Sequence, residues 1–246
     1  MLEVRDVKKY FGGIKALDGT SLTLGANELK CIIGPNGCGK STLFNVITGA
    51  LPPTSGQIIF KGQNITAWPP HKISRLGFGR KFQVPSIFND ITVAENIEIA
   101  AMALATRQRL RKTLGHKLDP AVFDKHLGDF GLTAFRNSVA GELPHGLKQR
   151  LEILLLILSE ASVILLDEPT AGMSQAETLE TAELICHIQT KFMTSVLVIE
   201  HDMHFVRALK CPLIVMMKGT VVREGVYETI KEDSEIKKAY LGEIAC

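Results

Sequence analysis

Apolar and polar residues follow different spacings in the three parts of this chain, and these spacings predict its strands and helices. Short apolar runs between turn residues predict strands in the first third. Leucines at helical spacing predict helices from about residue 91 to residue 158. The predicted strands are Leu2–Val4, Leu22–Leu24, Leu29–Ile33, Gln57–Phe60, Val163–Leu166 and Val196–Ile199. The predicted helices include Leu43–Ile47, Ala94–Leu104, Gln175–Phe192 and a leucine-rich segment that ends at Leu158.

The last two predicted strands are apolar at every position, so both of their faces are expected to be buried. Strands of this kind are typical of a parallel sheet that is covered on both sides. A helical segment separates them from the strands of the first third. The pattern therefore predicts an α/β core interrupted by a helical insertion from about residue 84 to residue 158.

Composition limits the partners and the cellular setting. The chain has 246 residues, of which 46% are hydrophobic, and a net charge of +2. So small a charge gives no strong field for nucleic acid or acidic lipid, and we expect no nucleic-acid partner. The N-terminus does not read as a signal peptide, and no apolar run is long enough to span a bilayer. Work at a membrane would therefore need a partner. The cysteines at 31, 38, 186, 211 and 246 lack metal-ligand spacing and predict free thiols in a reducing compartment.

The strongest chemical signal lies between the strand Leu29–Ile33 and the helix Leu43–Ile47. Residues 34–42 fit the pattern G-x-x-x-x-G-K-[ST] in the strand–loop–helix order that this motif requires. Its glycines let backbone N–H groups surround phosphate oxygens, and the helix N-terminus adds positive potential. We expect Lys40 to reach the β- and γ-phosphates of a nucleoside triphosphate and Ser41 to ligate Mg²⁺. The predicted binding residues are Gly34, Pro35, Asn36, Gly37, Cys38, Gly39, Lys40, Ser41 and Thr42.

Polar residues follow two further strands, where ligands of open α/β sheets bind. Asp167 and Glu168 end the strand at residue 166, and Glu200 and His201 end the strand at residue 199. Asp167 is expected to hold Mg²⁺ through a water molecule, and Glu168 is expected to polarise a water for in-line attack on the γ-phosphate. His201 could hydrogen-bond that phosphate, although a histidine taken alone is more often structural.

These motifs in this order resemble the ATP-binding subunit of ABC transporters, nearly from end to end. The resemblance implies ATP and Mg²⁺ as cofactors. It also implies a P-loop NTPase (RecA-like) core with an N-terminal antiparallel β-sheet, formed by residues 1–83 and 159–246. An inserted α-helical subdomain, residues 84–158, would carry the signature loop and dock on a membrane permease. The motifs that carry the resemblance are Gly34–Thr42, Leu165-Leu166-Asp167-Glu168-Pro169-Thr170, Gln83 and His201.

Two site residues come from the resemblance alone. Gln83 stands at the Q-loop position, which implies contact with Mg²⁺ or the attacking water and coupling to the permease. Phe11 stands at the aromatic position that stacks on adenine. Without the resemblance, Phe11 could belong to the core and Gln83 could be a surface amide.

Shorter motifs are similar to importers of branched-chain amino acids and, more narrowly, to urea importers. This comparison favours urea, with branched-chain amino acids as the alternative. The cassette would contact permease subunits, a second ATP-binding subunit and, indirectly, a periplasmic or extracellular solute-binding protein. It would lie at the cytoplasmic face of the membrane. The motifs shared with the broader group include Phe11–Leu17, Thr92–Asn96, Ile199–Met203 and Ala239–Gly242, and those shared with urea importers are Gly79–Gln83, Pro144–Gly146 with Lys148-Gln149, and Ala171–Met173.

The signature loop departs from the pattern L-S-x-G-Q, which closes over the ATP of a partner subunit. Pro144 replaces the serine and Leu147 the glutamine, while Gly146 remains. Proline offers neither hydroxyl nor N–H, so the loss of one charge-assisted hydrogen bond would cost about 1.5–3 kcal/mol. Ser174 stands where an aspartate is usual. These changes raise the hypothesis of a heterodimer whose Pro144 site is weak or regulatory, with an active homodimer as the alternative.

Three other functions are weighed against a transport ATPase. A P-loop kinase is disfavoured by Glu168, Gln83 and His201, which suit transfer of phosphate to water. A soluble ABC ATPase of DNA repair or translation is disfavoured, because such proteins usually carry two cassettes or a long coiled coil and this sequence shows neither. A weakly hydrolysing regulator stays open because of Pro144.

Cys38 is either a reactive thiol whose modification blocks ATP binding or a small residue packed in a tight loop.

Overall fold

Ten strands and eight α-helices make up the described part of the chain, residues 1–81, 87–109, 119–234 and 236 of a computed structural model. The strands are β1 (Leu2–Phe11), β2 (Ile14–Leu24), β3 (Leu29–Ile33), β4 (Ser55–Phe60), β5 (Gln63–Asn64), β6 (Phe78–Lys81), β7 (Val163–Asp167), β8 (Ser195–Ile199), β9 (Leu213–Met217) and β10 (Thr220–Gly225). The α-helices are α1 (Lys40–Ile47), α2 (Pro70–Arg75), α3 (Val93–Arg109), α4 (Pro120–Asp129), α5 (His145–Leu158), α6 (Gln175–Lys191), α7 (Met203–Leu209) and α8 (Tyr227–Ile230). Two short 3-10 helices, Thr133–Phe135 and Ala140–Glu142, precede α5.

The strands form two sheets. The first is antiparallel, in the order β2-β1-β4-β5. The second has the order β10-β9-β3-β8-β7-β6, in which β10 pairs antiparallel with β9 and the other neighbours are parallel. Since β3, β8 and β7 are adjacent and parallel, their carboxyl ends lie at one edge of this sheet.

The central strands of the second sheet, β3, β8 and β7, are buried on both faces, as their apolar residues predict. Successive residues of β7 alternate between two apolar clusters: Val163 and Leu165 pack with α1 and the antiparallel sheet, whereas Ile164 and Leu166 pack with α5, α6 and α7. The side-chain period of two in a strand produces this alternation. The α/β class and the N-terminal antiparallel sheet are therefore confirmed.

Strand β3 and the two strands after the helical segment begin and end within one residue of their predicted bounds. The first two strands are much longer than predicted, because β1 and β2 form one hairpin around Gly12-Gly13. Polar residues such as Asp6 and Lys8 hide the pattern in the sequence. Bulges in the hairpin also break the alternation that a flat strand would show.

All described elements between β6 and β7 are helical, as the leucine spacing predicts. The proposed division of the chain near residues 84 and 158 stays a prediction. Gln83, Cys246 and the motif Ala239–Gly242 lie outside the described residues. Cys31, Cys186 and Cys211 are free thiols, in agreement with the sequence.

Candidate functional site

The Gly loop leads from β3 into α1 and needs glycine at two crowded positions. A Cβ on Gly34 would lie 2.2 Å from the carbonyl oxygen of Met216, and one on Gly39 would lie 2.3 Å from that of Ala16. Gly39 also has φ +107°, which side chains disfavour. Gly37 has φ +74° in open space, so its backbone is accessible from solvent. The loop can therefore present its backbone N–H groups to a phosphate.

Lys40 is the first residue of α1, and its side chain folds back onto the loop. Its Nζ donates hydrogen bonds to the carbonyl oxygens of Gly34 (2.7 Å) and Pro35 (3.0 Å), and it lies 4.0 Å from Cys38 Sγ. An ammonium has three donors, so a phosphate would compete with these loop carbonyls for Lys40. Within the loop and the start of α1, Asn36, Gly37 and Ser41 are exposed, Pro35, Gly39 and Thr42 are half-buried, and Gly34, Cys38 and Lys40 are buried.

A turn between β9 and β10 supports the loop from behind, and the sequence analysis did not identify it. Gly219 donates its N–H to the Cys38 carbonyl at 2.9 Å. The Gly219 carbonyl in turn accepts from the backbone N–H of Asp18 at 2.8 Å and from the Thr20 hydroxyl at 2.6 Å. A Cβ on Gly219 would lie 2.8 Å from the Ala16 carbonyl oxygen. The Lys218-Gly219 pair between two apolar strands was the available sequence signal for a tight turn.

The predicted carboxylates and histidine come together at the ends of β7 and β8. His201 Nδ1 lies 3.6 Å from Glu168 Oε1, and both side chains are partly exposed. Glu168 has φ +48°, an uncommon conformation for a residue with a side chain, and its N–H donates to the Ile199 carbonyl at 2.9 Å. Strained backbone of this kind clusters at active sites. A carboxylate and an imidazole at this separation could share a water or a proton.

Asp167 has the features of a divalent-cation ligand. Its side chain is 4% exposed, and Oδ2 faces Arg80 Nη2 at 3.5 Å. Oδ1 is buried and has no hydrogen-bond partner among the described residues. Burial raises the pKa of Asp167, and the charge of Arg80 opposes that rise. Oxygen ligands suit Mg²⁺, so the unpartnered Oδ1 and the exposed Ser41 hydroxyl fit this cation.

Two charged residues at this edge received no role from the sequence, although both lie inside quoted motifs. Arg80 of β6 faces Asp167 and donates from Nη1 to Asn45 Oδ1 of α1 at 2.7 Å. Glu200 follows β8 and is 1% exposed. For Glu200, its place directly after an apolar strand was the available signal, but only the tertiary structure shows the partners of either residue.

Comparison with known proteins agrees with this geometry. A model of the family described as ABC transporter matches residues 17–171. The chain belongs to the ABC transporter family. It is 34% identical over 252 residues to the high-affinity branched-chain amino acid transport ATP-binding protein BraF of Pseudomonas aeruginosa and, equally, to LivG of Escherichia coli K12. Each alignment covers 99% of this chain and 98% of the relative.

Solved structures of ABC cassettes also match this chain and confirm its P-loop NTPase core. An ABC transporter cassette in its ADP conformation aligns with a TM-score of 0.83 at 30% identity, and a nucleotide-free cassette with 0.81 at 29%. Each alignment covers 98% of both chains. The chain is therefore an ABC transporter ATP-binding subunit of the LivG and BraF type, and an ATPase. No helix within the described ranges is long and apolar enough to cross a membrane.

The signature loop of this ABC subunit forms the start of α5. Pro144 is the N-cap residue, and its carbonyl accepts from the backbone N–H groups of Leu147 and Lys148, both at 3.0 Å. Helix α5 therefore forms with the proline at its N-cap, where the missing N–H breaks no bond within the helix. No side chain caps this helix start. Pro144 is exposed. A Cβ added to Gly146 would lie 3.4 Å from Glu177 Oε1.

Ser174, at the usual aspartate position, has a structural partner. Its hydroxyl oxygen accepts from the Glu177 N–H, and the Glu177 carboxylate accepts from the Ser174 N–H at 2.9 Å. These reciprocal bonds are a capping box at the start of α6. The serine therefore stabilises the helix that follows the Asp167–Thr170 segment.

Three predicted residues have different outcomes. Phe11 is 45% exposed at the end of β1, so it is not a core residue; its contact with adenine stays a prediction. Cys38 is 4% exposed, and a Cβ on Gly34 would lie 2.8 Å from its Sγ, which favours packing in a tight loop over a reactive thiol. Gln83 lies outside the described residues, so its role also stays a prediction.

Proposed function

We propose that this chain hydrolyses Mg²⁺-ATP to drive the uptake of branched-chain amino acids through partner permeases. The observation that carries the proposal is the meeting of three groups at one sheet edge: the Gly loop, Asp167 with its unpartnered Oδ1, and the Glu168–His201 pair. The proposed solute is the one in the names of two relatives, LivG and BraF, whose alignments each cover 99% of this chain.

The proposed roles follow from what each side chain can do. Lys40 and the loop N–H groups bind the phosphates, and Ser41 and Asp167 hold Mg²⁺. Mg²⁺, when bound, neutralises charge on the β- and γ-phosphates. Glu168 orients and polarises the attacking water, and His201 donates a hydrogen bond to the γ-phosphate. Phe11 stacks on adenine, and Gln83 links the site to the permease.

The solute assignment replaces urea, which the comparisons do not support, by the alternative that they do support. The cassette itself has no role in recognising the solute in this proposal. Its partners are membrane permease subunits, a second ATP-binding subunit and, indirectly, an external solute-binding protein. Its place is the cytoplasmic face of the membrane, where it binds the permease as a peripheral subunit.

A second candidate is a heterodimer in which the site closed by Pro144 hydrolyses ATP weakly. Pro144 is the exposed N-cap residue of α5 and offers neither a hydroxyl nor an N–H to a partner's nucleotide, which favours this candidate. In it, Glu168 and the Gly loop of this chain work with the intact signature loop of another ATPase. Pro144 and Gly146 would then cover the partner's nucleotide without a serine hydroxyl.

One experiment tests both candidates. The ATPase rate of the purified chain is measured alone and after mixing with the second ATP-binding subunit of the same transporter. Activity of the chain alone supports a homodimer, and activity that needs mixing supports the heterodimer. Uptake of labelled leucine and of labelled urea by vesicles that contain the assembled transporter then tests the solute. ATP-driven uptake of urea without leucine would overturn the proposed solute.

A further inference from the structure

Glu200 is a buried carboxylate in contact with two loops of the candidate site. Its Oε1 accepts hydrogen bonds from the N–H (3.0 Å) and the hydroxyl (2.6 Å) of Thr170. Its Oε2 accepts from the N–H groups of His201 (3.0 Å) and Asp202 (3.4 Å). Since Thr170 follows β7 and His201 follows β8, one side chain joins the loops at the ends of both strands.

The chemistry at Glu200 requires a group that only accepts hydrogen bonds. All four neighbouring groups are donors, and an ionised carboxylate accepts through both oxygens. A glutamine in the same place would accept with its oxygen from one pair but turn its NH₂ toward the other pair. It would therefore release either Thr170 or the two backbone N–H groups. Such bonds to a charged acceptor are the stronger kind of hydrogen bond.

The joined loops are those that hold the proposed catalytic pair. Thr170 lies two residues after Glu168, and His201 is the neighbour of Glu200 in the chain. The Glu168 N–H also bonds to the end of β8, so the segment is attached to that strand at two points. His201 Nδ1 lies 3.6 Å from Glu168 Oε1 between the two loops that these bonds attach.

We infer that Glu200 is a positioning residue for ATP hydrolysis, which sets the geometry of Glu168 and His201 through the two loops. The inference rests on the proposed function of that pair. Glu200 is buried and contacts backbone N–H groups and Thr170, and its Oε2 lies 3.9 Å from His201 Nδ1, so it acts on turnover rather than on ATP binding. A residue that only stabilised the fold would not separate these two effects.

The test compares Glu200→Gln with the wild type in the same transporter subunit. We expect kcat to fall about ten- to a hundredfold, because charge-assisted bonds are lost. The affinity for ATP, measured with a fluorescent ATP analogue, should change less than about threefold. His201→Ala should lower kcat by a smaller factor in the Glu200→Gln background than in the wild type, since coupled residues are not additive.

A matched pair of variants tests the Thr170 half of the contact. Thr170→Val removes the hydroxyl donor and should lower kcat severalfold, whereas Thr170→Ser keeps the donor and should retain most of the rate. A wild-type kcat in a folded Glu200→Gln protein would overturn the inference. If Glu200→Gln does not fold, Thr170→Val decides alone, and a kcat within about twofold of the wild type overturns it.

Hydrogen exchange separates this inference from the proposed function. In Glu200→Gln the amide protons of Thr170, His201 or Asp202 should exchange at least about tenfold faster, while those of β8 stay protected. If Glu168→Gln keeps the full ATPase rate, the proposed function of Glu168 fails, yet faster exchange would still show that Glu200 holds the loops. Unchanged exchange at all three amides overturns the positioning role whatever the activity.

Discussion

The two surfaces proposed to meet around ATP differ in how their polar groups are held. At the sheet edge, Lys40, Asp167 and Glu200 are buried and held by charged or hydrogen-bonded neighbours. At the start of α5, Pro144 is exposed and no side chain caps the helix. Both surfaces thus have the backbone of the family, whereas the side-chain chemistry at the start of α5 differs from the family pattern. The predictions below test that difference.

The largest effect is expected at the sheet edge. Glu168→Gln keeps the shape of the side chain but removes the carboxylate that polarises water, so kcat should fall about a hundredfold or more. The measurement is steady-state release of phosphate from ATP, with Glu183→Gln as a control on the exposed face of α6. Equal rates in Glu168→Gln and the wild type would remove Glu168 from the mechanism.

The next effect is expected at the start of α5. Pro144→Ser supplies the missing hydroxyl, and in a homodimer one charge-assisted bond of about 1.5–3 kcal/mol would raise the ATPase rate by one to two powers of ten. Pro144→Ala restores the backbone N–H without the hydroxyl. A rise of the same size in Pro144→Ala would show that the hydroxyl is not responsible.

A smaller effect is expected behind the Gly loop. Gly219→Ala places a Cβ 2.8 Å from the Ala16 carbonyl oxygen, at φ +77°, so the free energy of unfolding should fall by about 2 kcal/mol. Gly12→Ala is the matched control, because Gly12 has φ +57° but open space around an added Cβ. This variant should lower the free energy of unfolding by about 1 kcal/mol. Urea unfolding of both variants is the measurement. Equal losses would mean that the close approach to Ala16 contributes nothing.

The smallest effect is expected at the start of α6. Ser174→Ala removes the hydroxyl of the capping box and should lower the free energy of unfolding by about 1 kcal/mol, measured by urea unfolding. Ser174→Asp, which keeps a capping side chain and restores the usual family residue, should lose less. A larger loss in Ser174→Asp would contradict the capping role.

The sequence was most informative where one local rule decides the structure. Residues 29–33 form β3 with the predicted bounds because a short run, apolar except for Lys30, lies between a turn and the Gly loop. The hairpin of β1 and β2 was largely missed, since its polar residues show no clean alternation and its length depends on cross-strand pairing. The preference for urea rested on short motifs, which record kinship but no contact with a solute.

By itself the sequence determined the α/β class, the Gly loop and the order of the polar strand ends, because strand period and glycine spacing act over a few residues. Only the tertiary structure decided that Glu200 receives donors from two loops, that Arg80 faces Asp167, and that Gly219 supports the Gly loop. Thr170, Arg80 and Gly219 are each far along the chain from the groups that they contact. The burial of a polar group leaves no local pattern, since its cost is offset only by donors and acceptors that the fold brings to it.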